Sequence, residues 1–384
     1  LTWTTPETHD IIRRNLHRAP LYSGKIHGIG PRYCPSIEDK IVKFADKERH
    51  QVFLEPEGMQ SREWYVQGMS TSMPIDVQYA FLRTIPGFED VKMMRPAYAI
   101  EYDLLDPLQL YPTLEVIKLP GLYSAGQSNG TSGYEEAAAQ GLVAGINAAL
   151  KIQGKDPFIL ARHEAYIGSL VDDLVTKGAD EPYRMMTSRS EYRLILRQDN
   201  ADLRLTEKGH SIGLVGEERY ARFLERKKKY EEAMDYIRTQ RFTPKEEINR
   251  ALESMGTAPL TTGTGADQIL KRPEMTYRKM MEMLGCPAFD EEAVEEMEIT
   301  VKYEGYIARQ EAAVRKAARM ENEKLPPDMD YLSLDGISTE AKQKMDKIRP
   351  LSLGQAARIP GVSPADISVL MVYVKQRKGK KGAE

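Results

Sequence analysis

The pattern of apolar and polar positions changes twice along the chain. Over residues 1–118 the apolar residues come in short runs punctuated by Pro and Gly. The runs at 50–56 (HQVFLEP) and 97–103 (AYAIEYD) predict strands. Within this part Ile37, Ile41 and Phe44 recur at roughly helical spacing, and Ser36 stands three residues before Asp39. A short helix is therefore expected to start at Cys34 or Ser36. From Leu119 the texture shifts. Residues 119–125 predict a buried strand, a Gly/Asn/Ser/Thr loop follows, and 135–150 (EEAAAQGLVAGINAAL) predict a helix rich in small residues. That succession is half of an α/β nucleotide-binding unit. Beyond Gly154 the period becomes helical. A long charged helix is expected over 217–240, and another within 290–323, interrupted near Gly305. Residues 324–336 predict a Pro-rich linker, and the tail from 351 predicts helix, turn, helix, with Ile367, Leu370, Met371 and Val374 as an apolar stripe.

Composition narrows this picture modestly. The chain has 384 residues, enough for two or three domains, and 41% hydrophobic residues, enough for packed cores. A net charge of −3 excludes a molecule coated in positive charge but leaves room for a local basic patch. The two cysteines, Cys34 and Cys286, carry no disulfide framework, and no CxxC or His-rich cluster suggests a metal. A reducing, cytoplasmic location is expected. No run reaches membrane-spanning length and no signal peptide precedes LTWTTPETHD. The chain opens without Met, so a preceding portion is expected.

Three stretches carry candidate chemistry. The first is KIHGIGPRYCPSIEDKIVKF, in which Gly28 and Gly30 begin a phosphate-loop pattern that Pro31 and Tyr33 break. A thiol at the start of a helix, with Arg32 two residues away, ionises more readily than a free one, and the same amides suit a phosphate. Spacing alone favours Cys34 as a small buried residue in a tight turn. The second is GLYSAGQSNGTSGYEEA, where a strand, loop and helix could face a ligand or could form a plain crossover. In the third, Arg184, Arg189, Arg193, Arg197 and Arg204 are interleaved with Tyr183 and Tyr192. Arg189, Arg193 and Arg197 would share one face if helical. Arginine suits phosphate and tyrosine suits splayed bases, whereas Glu191, Asp199 and Asp202 offer ordinary ion-pair partners. Cys286 reads as structural.

The stretch GIGPRYCPSIEDKIVKF resembles a signature of the MnmG (GidA) family of tRNA uridine 5-carboxymethylaminomethyl modification enzymes. GLYSAGQSNGTSGYEEAAAQGLVAGINAA, MTSRSEYRLILRQDNADLRLTEKG and LGQAARIPGVSPADISVL are similar to it too, so the likeness covers essentially the whole chain. It implies a fold of α/β class, a partial Rossmann-like FAD/NAD-binding part of the glutathione-reductase type, followed by a mainly α-helical region. The implied domains are an NAD- and substrate-side region over 1–118, the C-terminal part of the FAD domain over 119–154, a helical tRNA-binding domain over 155–325 and a partner-docking subdomain over 326–384.

The family resemblance also implies chemistry. FAD, NADH and a methylene-tetrahydrofolate carbon donor would serve addition at C5 of the tRNA wobble uridine, jointly with an MnmE-type GTPase partner docked on the C-terminal helices. A homodimer is a further expectation. The NAD loop would be Gly30, Pro31, Arg32, Tyr33, Cys34, Pro35, Ser36, Ile37, Glu38, Asp39, Lys40, Ile41, Val42, Lys43 and Phe44. Cys34 would be catalytic, attacking C6 of the uracil or serving as general acid/base. Gly126, Gln127, Asn129 and Thr131 would contact FAD, and Arg184, Arg189, Arg193 and Arg197 would contact tRNA. The family's N-terminal glycine-rich FAD loop has no counterpart here, so the chain alone is expected to hold FAD weakly or not at all. Two rival readings stay open: a folate- and FAD-dependent tRNA methyltransferase, and a non-catalytic tRNA-binding and docking module.

Overall fold

The computed structural model describes residues 1–26 and 35–381. The chain folds as two compact units, Leu1–Phe158 with Gly178–Arg184, and Ile159–Lys177 with Met185–Glu384.

The first unit contains β1 (Thr2–Trp3), α1 (Pro6–Asn15), α2 (Ile37–Lys43), β2 (Gln51–Pro56), β3 (Trp64–Gln67), α3 (Ile75–Leu82) and α4 (Tyr134–Ile152). The strands form an antiparallel sheet in the order β1-β2-β3, with Thr2 opposite Val52 and Phe53 opposite Gln67. Local signals set the helix starts. Thr5 and Thr8 cap each other at α1, with Pro6 in the first turn, where its missing N–H costs nothing. Ser36 accepts from the Asp39 amide at α2, as its spacing predicts. α1 packs on α3 and α2, burying Ile12, Ile37, Ile41, Val52, Val77 and Phe81. Each such apolar side chain contributes roughly 1.5–3 kcal/mol.

The second unit is helical. It runs through α5 (Tyr166–Lys177), α6 (Ala201–Ser211), α7 (Glu217–Thr239), β4 (Arg241–Phe242), α8 (Glu246–Ser254), β5 (Thr264–Gly265), α9 (Ala266–Leu270) and α10 (Tyr277–Leu284). It continues with α11 (Glu291–Lys302), α12 (Glu304–Asn322), α13 (Thr339–Ile348), α14 (Leu353–Arg358) and α15 (Pro364–Lys381). One core gathers Ile237, Leu252, Ile269, Tyr277, Met280 and Met297. A second gathers Tyr331, Ala341, Met345, Leu353 and Leu370. The expected interruption near Gly305 is the break at Tyr303 between α11 and α12. Cys286 is buried in the first core, and burial pushes its thiol pKa up, as befits an inert structural cysteine.

Several sequence expectations need correction. Residues 97–103 form no strand; the Ala97 backbone instead pairs in both directions with the Gln78 side chain, at 2.9 Å each. Residues 119–125 are turns with a bridge at Tyr123, because Pro120 lacks an N–H and Gly121 sits at φ +90°. Arg189, Arg193 and Arg197 do not share a helix face. A single 3₁₀ turn over Thr187–Arg189 is followed by turns, pinned by side chains that take the backbone groups a helix would use. Residues 324–336 are not a loose linker, since Leu325, Met329, Tyr331 and Leu334 enter the second core. The small-residue face of α4 meets no sheet among the described residues: a Cβ on Gly141 or Gly145 would have open space around it.

Candidate functional site

Gly30, Pro31, Arg32, Tyr33 and Cys34 lie outside the described residues. The rest of the predicted nucleotide loop is α2 and its approach. Ile37 and Ile41 are core residues, and the Ile37 amide donates to the Ser70 carbonyl at 2.7 Å. Glu38 is fully buried; its Oε1 accepts from both the amide and the hydroxyl of Ser72, at 2.8 Å each. Lys40 donates to the Gly68 carbonyl, and Asp39 accepts from the Tyr22 hydroxyl. Val42, Lys43 and Phe44 are exposed at the other end. The helix is thus anchored to the core of the first unit.

The loop preceding α4 is a 3₁₀ turn over Gly126–Asn129, entered at φ +87° by Gly126 and left at φ +82° by Gly130. A closed network holds it. Asn129 donates to the Ser124 carbonyl at 2.9 Å and to Gln140 Oε1 at 2.8 Å, while accepting from the Ser124 hydroxyl. Thr131 donates to the Gly126 carbonyl and accepts from Gln140 Nε2. Asn129 and Thr131 are buried, so their side chains shape the loop from within. Gln127 is half-buried and spends only its Nε2, on the Asp103 carbonyl at 3.2 Å. Its amide oxygen, the loop backbone and the start of α4 remain as polar features a ligand could meet. That set fits the edge of a flavin, which presents both donors and acceptors.

The structure separates the arginines. Tyr183 pairs with the loop, its amide on the Gly130 carbonyl at 2.8 Å and its carbonyl taking the Ser132 amide. This sets Arg184 against the first turn of α4, 3.4 Å from Glu136 and 3.5 Å from Glu135. Arg184 therefore belongs to the first unit, and Arg189, Arg193 and Arg197 belong to the second. Arg197 is engaged by Asp199 at 2.9 Å and by the buried Glu296 at 2.6 Å. Burial and the hydrogen bond that its protonated carboxyl donates to Asp199 push Glu296 well above the ordinary carboxylate range. The Arg189 carbonyl accepts from Arg162 at 3.2 Å. Arg193 is exposed, and no ion pair holds its guanidinium among the described residues.

The pattern of single residues gave no hint of Arg162 as a hub. It is 7% exposed and reaches Asp173 at 2.7 Å, Glu191 at 2.8 Å and Asp172 at 3.1 Å. Burial alone would lower its pKa; the three carboxylates more than offset this and hold it above its usual range. Asp172 also takes both arms of Arg358, at 2.7 and 2.8 Å, and Arg358 pairs with Glu321. Sequence reasoning also missed a groove of about 1110 Å³ in the first unit, between β3 and residues 87–98. Trp64, Val66, Phe88 and Met93 line it together with Arg62, Lys92 and Arg95, and none of the residues nominated from the sequence does. Among the described residues no helix is long and apolar enough to cross a membrane.

Comparison with known proteins gives consistent results along the chain. Residues 1–156 match the family profile described as glucose inhibited division protein A. Residues 217–311 match the C-terminal helical domain of the tRNA modifying enzyme MnmG/GidA, and residues 313–384 its C-terminal helical bundle. The chain is 57% identical over 383 residues to a tRNA uridine 5-carboxymethylaminomethyl modification enzyme MnmG of Caldicellulosiruptor saccharolyticus, covering 99% of this chain and 61% of that protein. It is 57% identical over 380 residues to the protein of the same name from Enterococcus faecalis, covering 98% and 60%. Two structures of Aquifex aeolicus GidA superpose with a TM-score of 0.81 at 47% and 49% identity, over 97% of this chain and 58% and 59% of those. The chain thus spans about three-fifths of the length of the relatives it matches. With its α/β first part, its helical remainder and matches of this extent in both sequence and fold, the chain belongs to the MnmG/GidA family.

Proposed function

We propose that this chain is part of a flavin-dependent enzyme that modifies C5 of the wobble uridine of tRNA. The observation that carries the reading is the 57% identity, along nearly the whole chain, to enzymes named for tRNA uridine modification. Residues 1–118 serve the nicotinamide and substrate side, and 119–154 the flavin side. Residues 155–325 serve tRNA, and 326–384 dock a GTPase partner. The protein works as a homodimer in the cytoplasm.

At the flavin side, Gln127 Oε1, the backbone around Gly126 and the start of α4 would hold FAD, with Asn129 and Thr131 keeping the loop in shape. Bound FAD together with NADH would supply hydride-transfer chemistry at this site, while methylene-tetrahydrofolate supplies the carbon unit. The chain's own chemistry centres on Cys34. A thiolate there adds to C6 of the uracil and pushes electron density to C5, which attacks the methylene of an iminium formed from methylene-tetrahydrofolate and glycine or ammonium with release of tetrahydrofolate; loss of the C5 proton and expulsion of the thiolate restore the ring. In sequence Cys34 stands two residues before the Ser36 cap of α2, and helix N-terminal amides would favour a thiolate brought to them. The segment from Gly30 to Phe44 holds the nicotinamide nucleotide. On the tRNA side Arg193 of the second unit makes no ion pair among the described residues and would take a phosphate, Arg189 and Arg197 would act within that same unit, and Arg184 would act separately in the first.

The test is to supply the protein that carries this chain to a bacterium lacking its own family member. Digested tRNA is then assayed by mass spectrometry for the 5-carboxymethylaminomethyl nucleoside. Restored modification with the wild type, and none with Cys34→Ala at equal protein level, is expected. Normal modification by Cys34→Ala would remove the thiol from the mechanism. Absence of the nucleoside with the wild type would overturn the reading itself.

A further inference from the structure

α12 is 19 residues long and has no fully buried residue, yet it is firmly tethered. Gln310 donates to the Glu191 carbonyl at 3.1 Å and accepts from the Leu194 amide at 3.2 Å. Glu321 accepts from the Ser352 hydroxyl at 2.6 Å and pairs with Arg358. These contacts define the held side of the helix.

Another side carries Tyr306, Arg309, Lys316 and Arg319, all exposed, at spacings of three, seven and three that keep them along one stripe. Ala312 and Ala313 lie between them and leave the stripe low. The carboxylates of α12 lie off it and are used: Glu304 pairs with Lys271, Glu311 with Arg315 at 3.8 Å, and Glu321 with Arg358. Among the described residues Arg309, Lys316 and Arg319 make no ion pair; Arg309 only covers the Tyr306 ring, 5.9 Å from its centroid. Arg193 joins them, because it sits in the turn whose two ends, at residues 191 and 194, are both held by Gln310.

Unneutralised cations gathered on one face of a chain of net charge −3 repel one another and are what a polyanion would offset. Arg197 and Arg162 of the same unit are, by contrast, spent on buried carboxylates. We infer that the α12 stripe, together with Arg193, is a surface for the phosphodiester backbone of RNA, with Tyr306 offering a ring to an unstacked base at one end. Arg309 and Arg319 are ten residues apart, about 15 Å along the helix, so the stripe meets more than one phosphate. This deepens the proposed function and rests on it.

The test titrates unmodified tRNA into the full chain over a series of KCl concentrations. In Arg309→Gln/Lys316→Gln/Arg319→Gln the plot of log affinity against log salt should become shallower by about two to three. The charge-preserving Arg309→Lys/Arg319→Lys should keep the wild-type slope, which separates lost charge from lost fold. Single substitutions, each checked for an unchanged melting temperature, should each remove about one unit of slope. A triple variant with wild-type affinity and slope would overturn the inference while leaving the tRNA reading intact. Loss of binding to the GTPase partner with tRNA binding unchanged would overturn it too, by assigning the stripe to a protein. Failure of the wild type to bind tRNA at all would overturn both.

Discussion

His9 and His50 neighbour each other in the first unit, their rings 5.3 Å apart and tilted by 35°, with His9 Nε2 against the Thr4 hydroxyl at 2.8 Å. His50 Nε2 is buried with no hydrogen-bond partner among the described residues. Burial lowers both pKa values, helped at His9 by His50 and at His50 by Lys40. The unfolded chain protonates its histidines near 6.5, whereas the folded unit resists until lower pH. This stability is present above about pH 6.5 and is lost as pH falls from there through the folded values. The melting temperature of the wild type should therefore exceed that of His50→Gln by a margin that shrinks between pH 7.5 and 5.5; a constant margin would show that the pair does not titrate. Glu296 has the opposite sign. Its folded pKa is raised, so its contribution is full below about pH 4.3 and fades as pH rises through the folded value. Glu296→Gln, which mimics the protonated acid, should gain on the wild type in thermal melts as pH goes from 5 to 8. At Arg193 the expected outcome is a loss of about one unit of salt slope for tRNA binding in Arg193→Ala. None of these three environments was visible in the sequence, because each depends on which residue covers a side chain, and the covering residues are up to about a hundred positions away.

Elements were far more legible. α2, α4, α7 and the break between α11 and α12 stand where periodicity and capping residues put them, since a helix start is decided by groups within four residues. Ser36→Ala should accordingly destabilise the first unit by about 1 kcal/mol in urea unfolding, by leaving an α2 amide without its acceptor. Gly130 is held more tightly. At φ +82° a Cβ there would also stand 2.7 Å from the Ala179 Cβ, so Gly130→Ala should cost more than about 1 kcal/mol and loosen the Gly126–Asn129 turn. Strands and turns were less legible. Residues 97–103 have the apolar composition of a strand but find a side-chain amide instead of a neighbouring strand. The arginine stretch has helical spacing, but its backbone is claimed by Gln310, Arg197 and Asn200.

At the scale of the molecule, the second unit is knitted by charge. Asp172 on α5 is gripped by Arg162 and by Arg358 of α14, 186 positions away, and Arg162 in turn holds Glu191 and the Arg189 carbonyl of the arginine loop. Asp172→Asn leaves the buried Arg162 and the half-buried Arg358 short of a counter-charge and should cost about 3 kcal/mol, read as a lowered urea midpoint. An unchanged midpoint would make the network ornamental. From the sequence alone came the family, the α/β-then-α order, the helix starts and the nomination of Cys34, whose surroundings outside α2 rest on the sequence reading. These are properties of contiguous residues: periodicity, caps and extended motifs act over a few positions and survive without knowledge of the fold. Which arginines are free to meet a phosphate, which polar side chains of the Gly126–Thr131 loop face inward, and which acids share a proton were decided only by tertiary structure. A charge is available or spent according to what lies within about 4 Å of it, and that neighbour comes from a distant part of the chain.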